Sequence, residues 1–332
     1  MERRFFLRNT AMAMGGISVG LPRFSEKTES KHFSRIKFGI CADLHHDIIY
    51  DAPERLSAFI NEMQQTQPDF IIQLGDFCCP HDRNRQIMEI WNQFAGPKYH
   101  VIGNHDMDGG FKREQVVAFW KAKGKYYSFD QKGYHFVVLD TNENEYNPLK
   151  NPLSHYGSFV GDEQLQWLES DLDKTDLPII VFGHHGLDND MTGVENATKV
   201  RFTLERANNK SKFKRVQLVF SGHHHQDYVN VINNIPYVQI NSMSYKWLGQ
   251  QYGHVPYTEE INLKHPLVKY TVPYKNPLWA VIDISANGHL KLTGKRSEFV
   301  GKSPAELGVP EYENIYPIVP FISNRDIRLV MK

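Results

Sequence analysis

Sixteen histidines are spread through this 332-residue chain, and eight of them (45, 46, 105, 184, 185, 223, 224 and 225) cluster directly behind short apolar runs. The clusters read Asp43-Leu44-His45-His46, Gly75-Asp76, Gly103-Asn104-His105-Asp106, Gly183-His184-His185-Gly186 and Ser221-Gly222-His223-His224-His225. Neutral imidazole, carboxylate and amide oxygen together form a mixed nitrogen and oxygen donor set, which suits zinc, iron, manganese and similar ions. No thiolate is needed. Asp43 and His45 lie two residues apart, as do His223 and His225, so in extended backbone each pair points the same way and holds one ion together. Two such pairs plus a carboxylate exceed what one tetrahedral ion requires, which favours two ions. A pair of cations ~3.5–4 Å apart clamps both the attacking and the leaving oxygen of an in-line phosphoryl displacement.

These residues need elements to position them, and the apolar runs supply strands. Residues 36–41, 70–74 and 99–102 read as buried strands, each stopped by the first, second or third cluster. Between the first two, Leu56, Phe59, Ile60 and Met63 recur at helical spacing, with Asp51 as the expected cap and Pro53 in the first turn. Ile87, Ile90, Trp91 and Phe94 predict a second helix. Strand and helix alternate here, as in a layered α/β sheet. Ligands of such sheets bind outside the carboxyl ends of the strands, which is where the clusters fall. Further on, residues 126–140 predict a hairpin around Gln131-Lys132-Gly133. Leu165, Leu168 and Leu172 predict a helix, and 179–182 and 216–220 predict short strands. Asn233-Asn234 and Asn287-Gly288 mark two more hairpins.

The formal charge is zero, with 38 basic and 38 acidic residues. Binding a nucleic acid backbone calls for clustered positive charge, so no nucleic acid partner is expected. Three cysteines, an odd number, rule out a disulfide framework. Cys41, Cys78 and Cys79 are expected to be small buried hydrophobes. The start, Met1 to Arg8, is basic, and a weakly apolar run follows from Ala11 to Leu21. That run is too short to span a bilayer, and no transmembrane segment is expected. The pair Arg3-Arg4 before Phe6-Leu7-Arg8 resembles a twin-arginine export signal, which implies a periplasmic or secreted protein. Domain organisation is accordingly read as a signal and linker over 1–34, a catalytic domain over 35–300, and an irregular tail over 301–332 packed on it.

Taken in order, Asp-x-His, Gly-Asp, Gly-Asn-His-Asp, Gly-His-His and Gly-His-x-His resemble the motif set of the calcineurin-like metallophosphoesterase family, across about residues 36–240. Each motif alone is weak, but five in order behind predicted strands are specific. The resemblance implies an α/β fold, a four-layer αββα sandwich with mixed sheets, around a dinuclear metal centre. It implies Asp43, His45 and His225 as ligands of one ion, Asn104, His184 and His223 as ligands of the other, and Asp76 as the bridge. It implies His105 as the group that contacts the substrate phosphate and protonates the leaving oxygen, while a metal-bound hydroxide attacks phosphorus. The cofactors would be two divalent or mixed-valence ions, with manganese, iron or zinc foremost. The substrate would be a small phosphomonoester or phosphodiester, nucleotide-like in one reading.

Segments 133–140 and 161–168 are similar to the bacterial cyclic-nucleotide phosphodiesterase and manganese-dependent ADP-ribose pyrophosphatase-like branches. One departure matters: purple acid phosphatases of this superfamily carry a metal-binding tyrosine where this chain has Cys79, so a tyrosinate-bound ferric ion is not expected. Gly186 also stands where the family often has proline. Around the site, His81 and Arg83 are candidate substrate contacts, as are Tyr245 and Trp247 beyond the strand that ends at Ile240. Two other classes compete. A scaffold that kept the fold and lost catalysis would lack ligands or His105, and nothing is missing here. A mononuclear hydrolase built on a barrel would need eight strand–helix repeats, which the hairpins after residue 126 contradict.

Overall fold

A computed structural model describes residues 34–144, 156–189, 192–211, 213–311 and 316–330. Ser34 aside, the leader and linker read over 1–34 lie outside the described residues. In the first half, β1 (Ile36–Cys41), α1 (Ala52–Thr66), β2 (Phe70–Gln73), α2 (Arg85–Trp91), β3 (Lys98–His100) and α3 (Arg113–Trp120) follow one another. The hairpin β4 (Tyr127–Gln131) and β5 (Tyr134–Val138) leads to α4 (Asp162–Asp173), β6 (Ile179–Phe182), α5 (Ala197–Asn209) and β7 (Val216–Ser221). Then come β8 (Tyr228–Ile232), β9 (Ile235–Gln239), β10 (Tyr245–Trp247), α6 (Glu259–Lys264), β11 (Thr271–Pro273), β12 (Ala280–Ile284), β13 (His289–Gly294) and β14 (Arg325–Arg328).

Two six-stranded sheets result, in the orders β14-β13-β12-β1-β2-β3 and β4-β5-β6-β7-β9-β8. β1, β2 and β3 run parallel, as do β5, β6, β7 and β9, while the outer strands run antiparallel. One core lies between the sheets, where Phe38 stacks on Phe70 at 4.7 Å and meets Phe182 and Phe220 edge-on. A second core packs α1, α2 and α3 on the other face of the first sheet, and a third packs α4 and α5 outside the second. Helix, sheet, sheet, helix is thus the order of layers, as the family resemblance implied. Leu56, Phe59, Ile60 and Met63 are the buried stripe of α1. At ~25 cal/mol per Å² of apolar surface removed from water, stripes of this kind supply the main attraction between layers.

Two expectations need correction. Asp51 does not cap α1 with its side chain; its carboxylate instead accepts from Arg55 Nε at 2.6 Å. The stretch over 301–332 is not wholly irregular, because β14 pairs with β13 and extends the first sheet by one edge strand. Its sequence, Arg-Asp-Ile-Arg, offers no apolar run to announce a strand, since an edge strand with a wet face needs none. Helices α3 and α6 were not foreseen, nor was α5. Its buried positions are Ala197, Val200, Leu204 and Ala207, two of them alanine, and Phe202 on the wet face is 64% exposed. The predicted hairpins form, with Asn233 and Asn234 both at positive φ. All three cysteines are buried and unpaired, and no helix among the described residues is long and apolar enough to cross a membrane.

Candidate metal centre

Each cluster sits at the carboxyl end of a parallel strand, and the two sheets bring those ends together. Asp43 and His45 follow β1, Asp76 follows β2, Asn104 and His105 follow β3, His184 follows β6, and His223 and His225 follow β7. The seam is tied by backbone and hydroxyl bonds. Asp43 N–H donates to the Gly75 carbonyl at 3.0 Å and His45 N–H to the Asp76 carbonyl at 2.9 Å. Ser242 and Ser244 hydroxyls, beyond β9, donate to the Asp43 and Leu44 carbonyls at 2.9 and 2.8 Å.

The local backbone differs from the extended pairs the spacing suggested. Asp43, His45, Asp76, His223 and His225 have φ of 55°, 51°, 50°, 74° and 48°. They are left-handed, and alternation along a strand therefore does not explain why their side chains converge. Non-glycine residues in that region cost of order 1–3 kcal/mol each, and persist only where the surroundings over-determine them. Glycine is required at Gly103, where a Cβ would overlap the Asp76 backbone nitrogen and carboxylate.

Three overlapping groups of donors arise: Asp43, His45 and His225; His45, Asp76 and His105; and Asp76, His184 and His223, the donor atoms of each group lying within 4.8 Å of one another. Asp76 Oδ2 lies 3.5 Å from His45 Nε2 and 3.2 Å from His184 Nε2, so one oxygen faces both halves. In one half, His45 Nε2 and His225 Nε2 are 3.1 Å apart, and His225 Nε2 is 3.3 Å from Asp43 Oδ1. In the other, His184 Nε2 is 3.1 Å from Asn104 Oδ1. His184 Nδ1 donates to the Leu74 carbonyl at 2.7 Å, which turns the Nε2 lone pair toward the cluster.

This donor set fits cations. Nitrogen, carboxylate and amide oxygen atoms face one another at about 3 Å, sharing protons between them, and divalent cations suit the same donor set in place of those protons. In the absence of metal the charged groups of the cluster hold one another. Burial alone pushes His184 down, but Asp76 outweighs it and holds the imidazole up at about 9. Burial would raise Asp76, yet His184 and His105 keep it well below the usual carboxylate range. Burial dominates at His45 and His223 and keeps both neutral, the form that coordinates a metal.

Other residues hold this arrangement. Asp106 accepts from the backbone N–H of Gly103 at 2.7 Å, Phe77 at 2.7 Å and Asp76 at 2.9 Å, binding the second cluster to the third. His105 Nδ1 lies 2.8 Å from Asp108 Oδ2, and Tyr156 hydroxyl donates to Asp108 Oδ1 at 2.6 Å. Burial opposes charge on His105, but Asp76 and Asp108 hold it up at about 9. Tyr245 packs its ring 5.0 Å from that of His45 and 5.1 Å from that of His225.

A cavity of about 550 Å³ opens over the donors, walled by His105, Asp108, Tyr156, Lys246, Trp247 and Leu267 among others. Tyr245 and Trp247 line it. His81 and Arg83 do not line it. His81 is exposed and its Nδ1 accepts from Arg83 N–H, while the Arg83 guanidinium pairs with Asp47 at 3.2 Å. Cys79 points to Asp47 as well, and burial pushes its thiol up to about 12, so it offers no thiolate. Asp108, Tyr156 and Lys246 were not foreseen. They lie outside the motifs, and only chain closure brings them to the cavity.

A family model described as calcineurin-like phosphoesterase matches residues 36–227. A manganese-dependent ADP-ribose/CDP-alcohol diphosphatase of Arabidopsis thaliana is 27% identical, over 47% of this chain and 65% of its own length. The match thus spans less than two-thirds of that relative's length. A dimetal phosphatase from Danio rerio superposes with a TM-score of 0.58 at 16% identity, covering 81% of this chain and 99% of that one. GAP50, described as an anchor in the inner membrane complex of Plasmodium, gives 0.52 at 15% identity over 90% of both chains. Likeness at these identities concerns the fold alone, and that fold accommodates both a phosphatase and an anchor.

Proposed function

We infer the reaction from family and geometry together: the chain belongs to the calcineurin-like phosphoesterase family, and its site has every donor that two-metal phosphoester hydrolysis needs. The single observation that carries this reading is Asp76 Oδ2, one oxygen facing an imidazole of each half. Bound there, a pair of divalent cations supplies a nucleophilic water at neutral pH and neutralises charge on the phosphoryl oxygens. Asp43, His45 and His225 would hold one cation, Asn104, His184 and His223 the other. The manganese-dependent relative favours manganese among the candidates.

The chain's own groups do the rest. Asp106 fixes the Asp76 backbone, and His184 is oriented by the Leu74 carbonyl. His105 stands at the cavity wall with Nδ1 held by Asp108, which leaves Nε2 to contact the phosphoryl group and deliver a proton to the leaving oxygen. The substrate in this reading is a small phosphoester or phosphoanhydride with an organic leaving group, as the name of the diphosphatase relative supports. The basic leader at Arg3-Arg4 supports export as part of the same reading.

An anchoring role without chemistry is the rival. Elemental analysis of purified protein, with turnover measured on phosphomonoesters, cyclic nucleotides and nucleoside diphosphate conjugates, separates the two. Hydrolysis is expected with two metals per chain. His105→Ala is expected to cut turnover while both metals stay bound. Protein loaded with two metals that turns over none of the panel would overturn the hydrolase reading.

A further inference from the structure

His105 stands at an open wall. Its side chain is 34% exposed, and that of its partner Asp108 is 39% exposed. A pair this wet holds its geometry poorly, because solvent screens the attraction and two side chains must be kept in order. A proton donor works only when it is aimed, and a small misplacement costs rate. Tyr156 supplies the missing constraint from 51 residues away. A short turn, with Asp108 N–H donating to the His105 carbonyl at 3.1 Å, sets the carboxylate beside the imidazole. Its Oδ2 then meets His105 Nδ1 at 2.8 Å, and its Oδ1 accepts from the Tyr156 hydroxyl at 2.6 Å. Among the described residues these are the carboxylate's only hydrogen-bond partners. With both oxygens engaged, the carboxylate cannot rotate without breaking a bond. The Tyr156 oxygen also lies 3.3 Å from His105 Nδ1, so that N–H faces two acceptors at once. The Tyr156 ring packs 4.9 Å from the imidazole, and the ring of His45 lies 5.1 Å from it.

We propose that Tyr156 is a positioning residue for proton delivery: it fixes Asp108 and the imidazole together, so that His105 Nδ1–H stays pinned and Nε2–H points at the leaving oxygen. In the step it serves, the Nε2–H bond breaks and an O–H bond forms on the departing alcohol. A neutral imidazole is left with its Nδ1–H on Asp108, and Tyr156 keeps its own proton. This inference rests on the hydrolase reading and deepens it.

A weakly basic leaving group departs as the anion, whereas a strongly basic one needs the proton, so the two report on His105 unequally. The test compares manganese-loaded full-length wild type with Y156F, D108A and the double variant. Substrates are 4-nitrophenyl phosphate, phenyl phosphate and the matching pair of thymidine 5′-phosphate diesters. Y156F keeps the ring and loses the hydroxyl. A hydrogen bond to a charged group corresponds to about 10-fold in rate. Y156F is expected to lose about that much in kcat on the phenyl esters and much less on the nitrophenyl esters, with KM little changed and both metals retained by elemental analysis. Because Tyr156 acts through Asp108, Y156F should add nothing in the D108A background. Equal losses on both leaving groups, loss of a metal, or additive effects of the two substitutions would overturn the proposal. So would Y156F with wild-type rates. Wild type that cleaves nucleoside diphosphate conjugates but none of the four esters sinks this inference alone, since no departing alcohol then needs the proton. Wild type inert on the conjugates too, with two metals bound, sinks the hydrolase reading as well.

Discussion

Asp106 does not wall the cavity that opens over the donors, yet it decides how well the site is built. Its Oδ2 accepts from Asp76 and Gly103, its Oδ1 from Phe77, and all of these groups are buried. Replacing it by asparagine keeps one oxygen and puts an amide NH2 against the remaining N–H. If the oxygen stays with the two-donor side, Phe77 N–H loses its acceptor. A buried unsatisfied donor costs about 1–3 kcal/mol, so D106N should lose about that much unfolding free energy. Alanine would strand three donors at about 3–9 kcal/mol, close to the entire stability of a domain, and is a poor probe. Urea unfolding of metal-free D106N measures the loss without interference from ligand binding. Metal content after dialysis reports whether Asp76 has shifted. D106N is expected to unfold at lower urea and to retain metal less well. Wild-type stability together with two tightly held metals would refute the claim that this carboxylate sets the site.

Asp76→Ala is expected to abolish turnover and the retention of both metals, which elemental analysis would show; loss of a single metal would contradict the bridging assignment. His135 bridges Asp130 at 2.6 Å and Asp171 at 2.8 Å, and although burial opposes charge, the two carboxylates raise it. A raised histidine stabilises fully below its unfolded value near 6.5 and loses that contribution as pH climbs through the folded one. The stability deficit of His135→Gln should therefore be larger at pH 6 than at pH 9 in paired unfolding curves, and a deficit that does not change with pH would argue against an imidazolium there. Changing Arg3 and Arg4 to lysine is expected to leave the protein in the cytoplasm of a bacterial host, with unchanged secretion pointing to another route.

Much of the centre was legible because its residues travel with the strands that carry them. Asp76 and Asn104 each follow an apolar run and a glycine, and the same runs that predict the sheet predict where the donors stand. The left-handed backbone at Asp43 and His225 was not legible, since a non-glycine residue carries no mark of positive φ in its side chain. Asp108, Tyr156 and Lys246 lie outside any motif, and their place is fixed by packing between distant segments. His81 and Arg83 were nearer in sequence but were diverted by a local turn and by Asp47. β14 escaped because an edge strand with a wet face carries no apolar run, whereas α5 does carry a helical period, Ala197, Val200, Leu204 and Ala207, but only two of those side chains are large.

The five left-handed donors set chemistry against robustness. Glycine at 45, 223 or 225 would relieve local tension in the apoprotein, whereas at 43 or 76 it would also leave the His223 or His105 N–H without its acceptor. A laboratory selection for heat tolerance alone, run in a chelator, should drift toward such replacements. Its winners would be well-folded shells that no longer grip their ions, so any campaign to harden this scaffold must screen for turnover at every round.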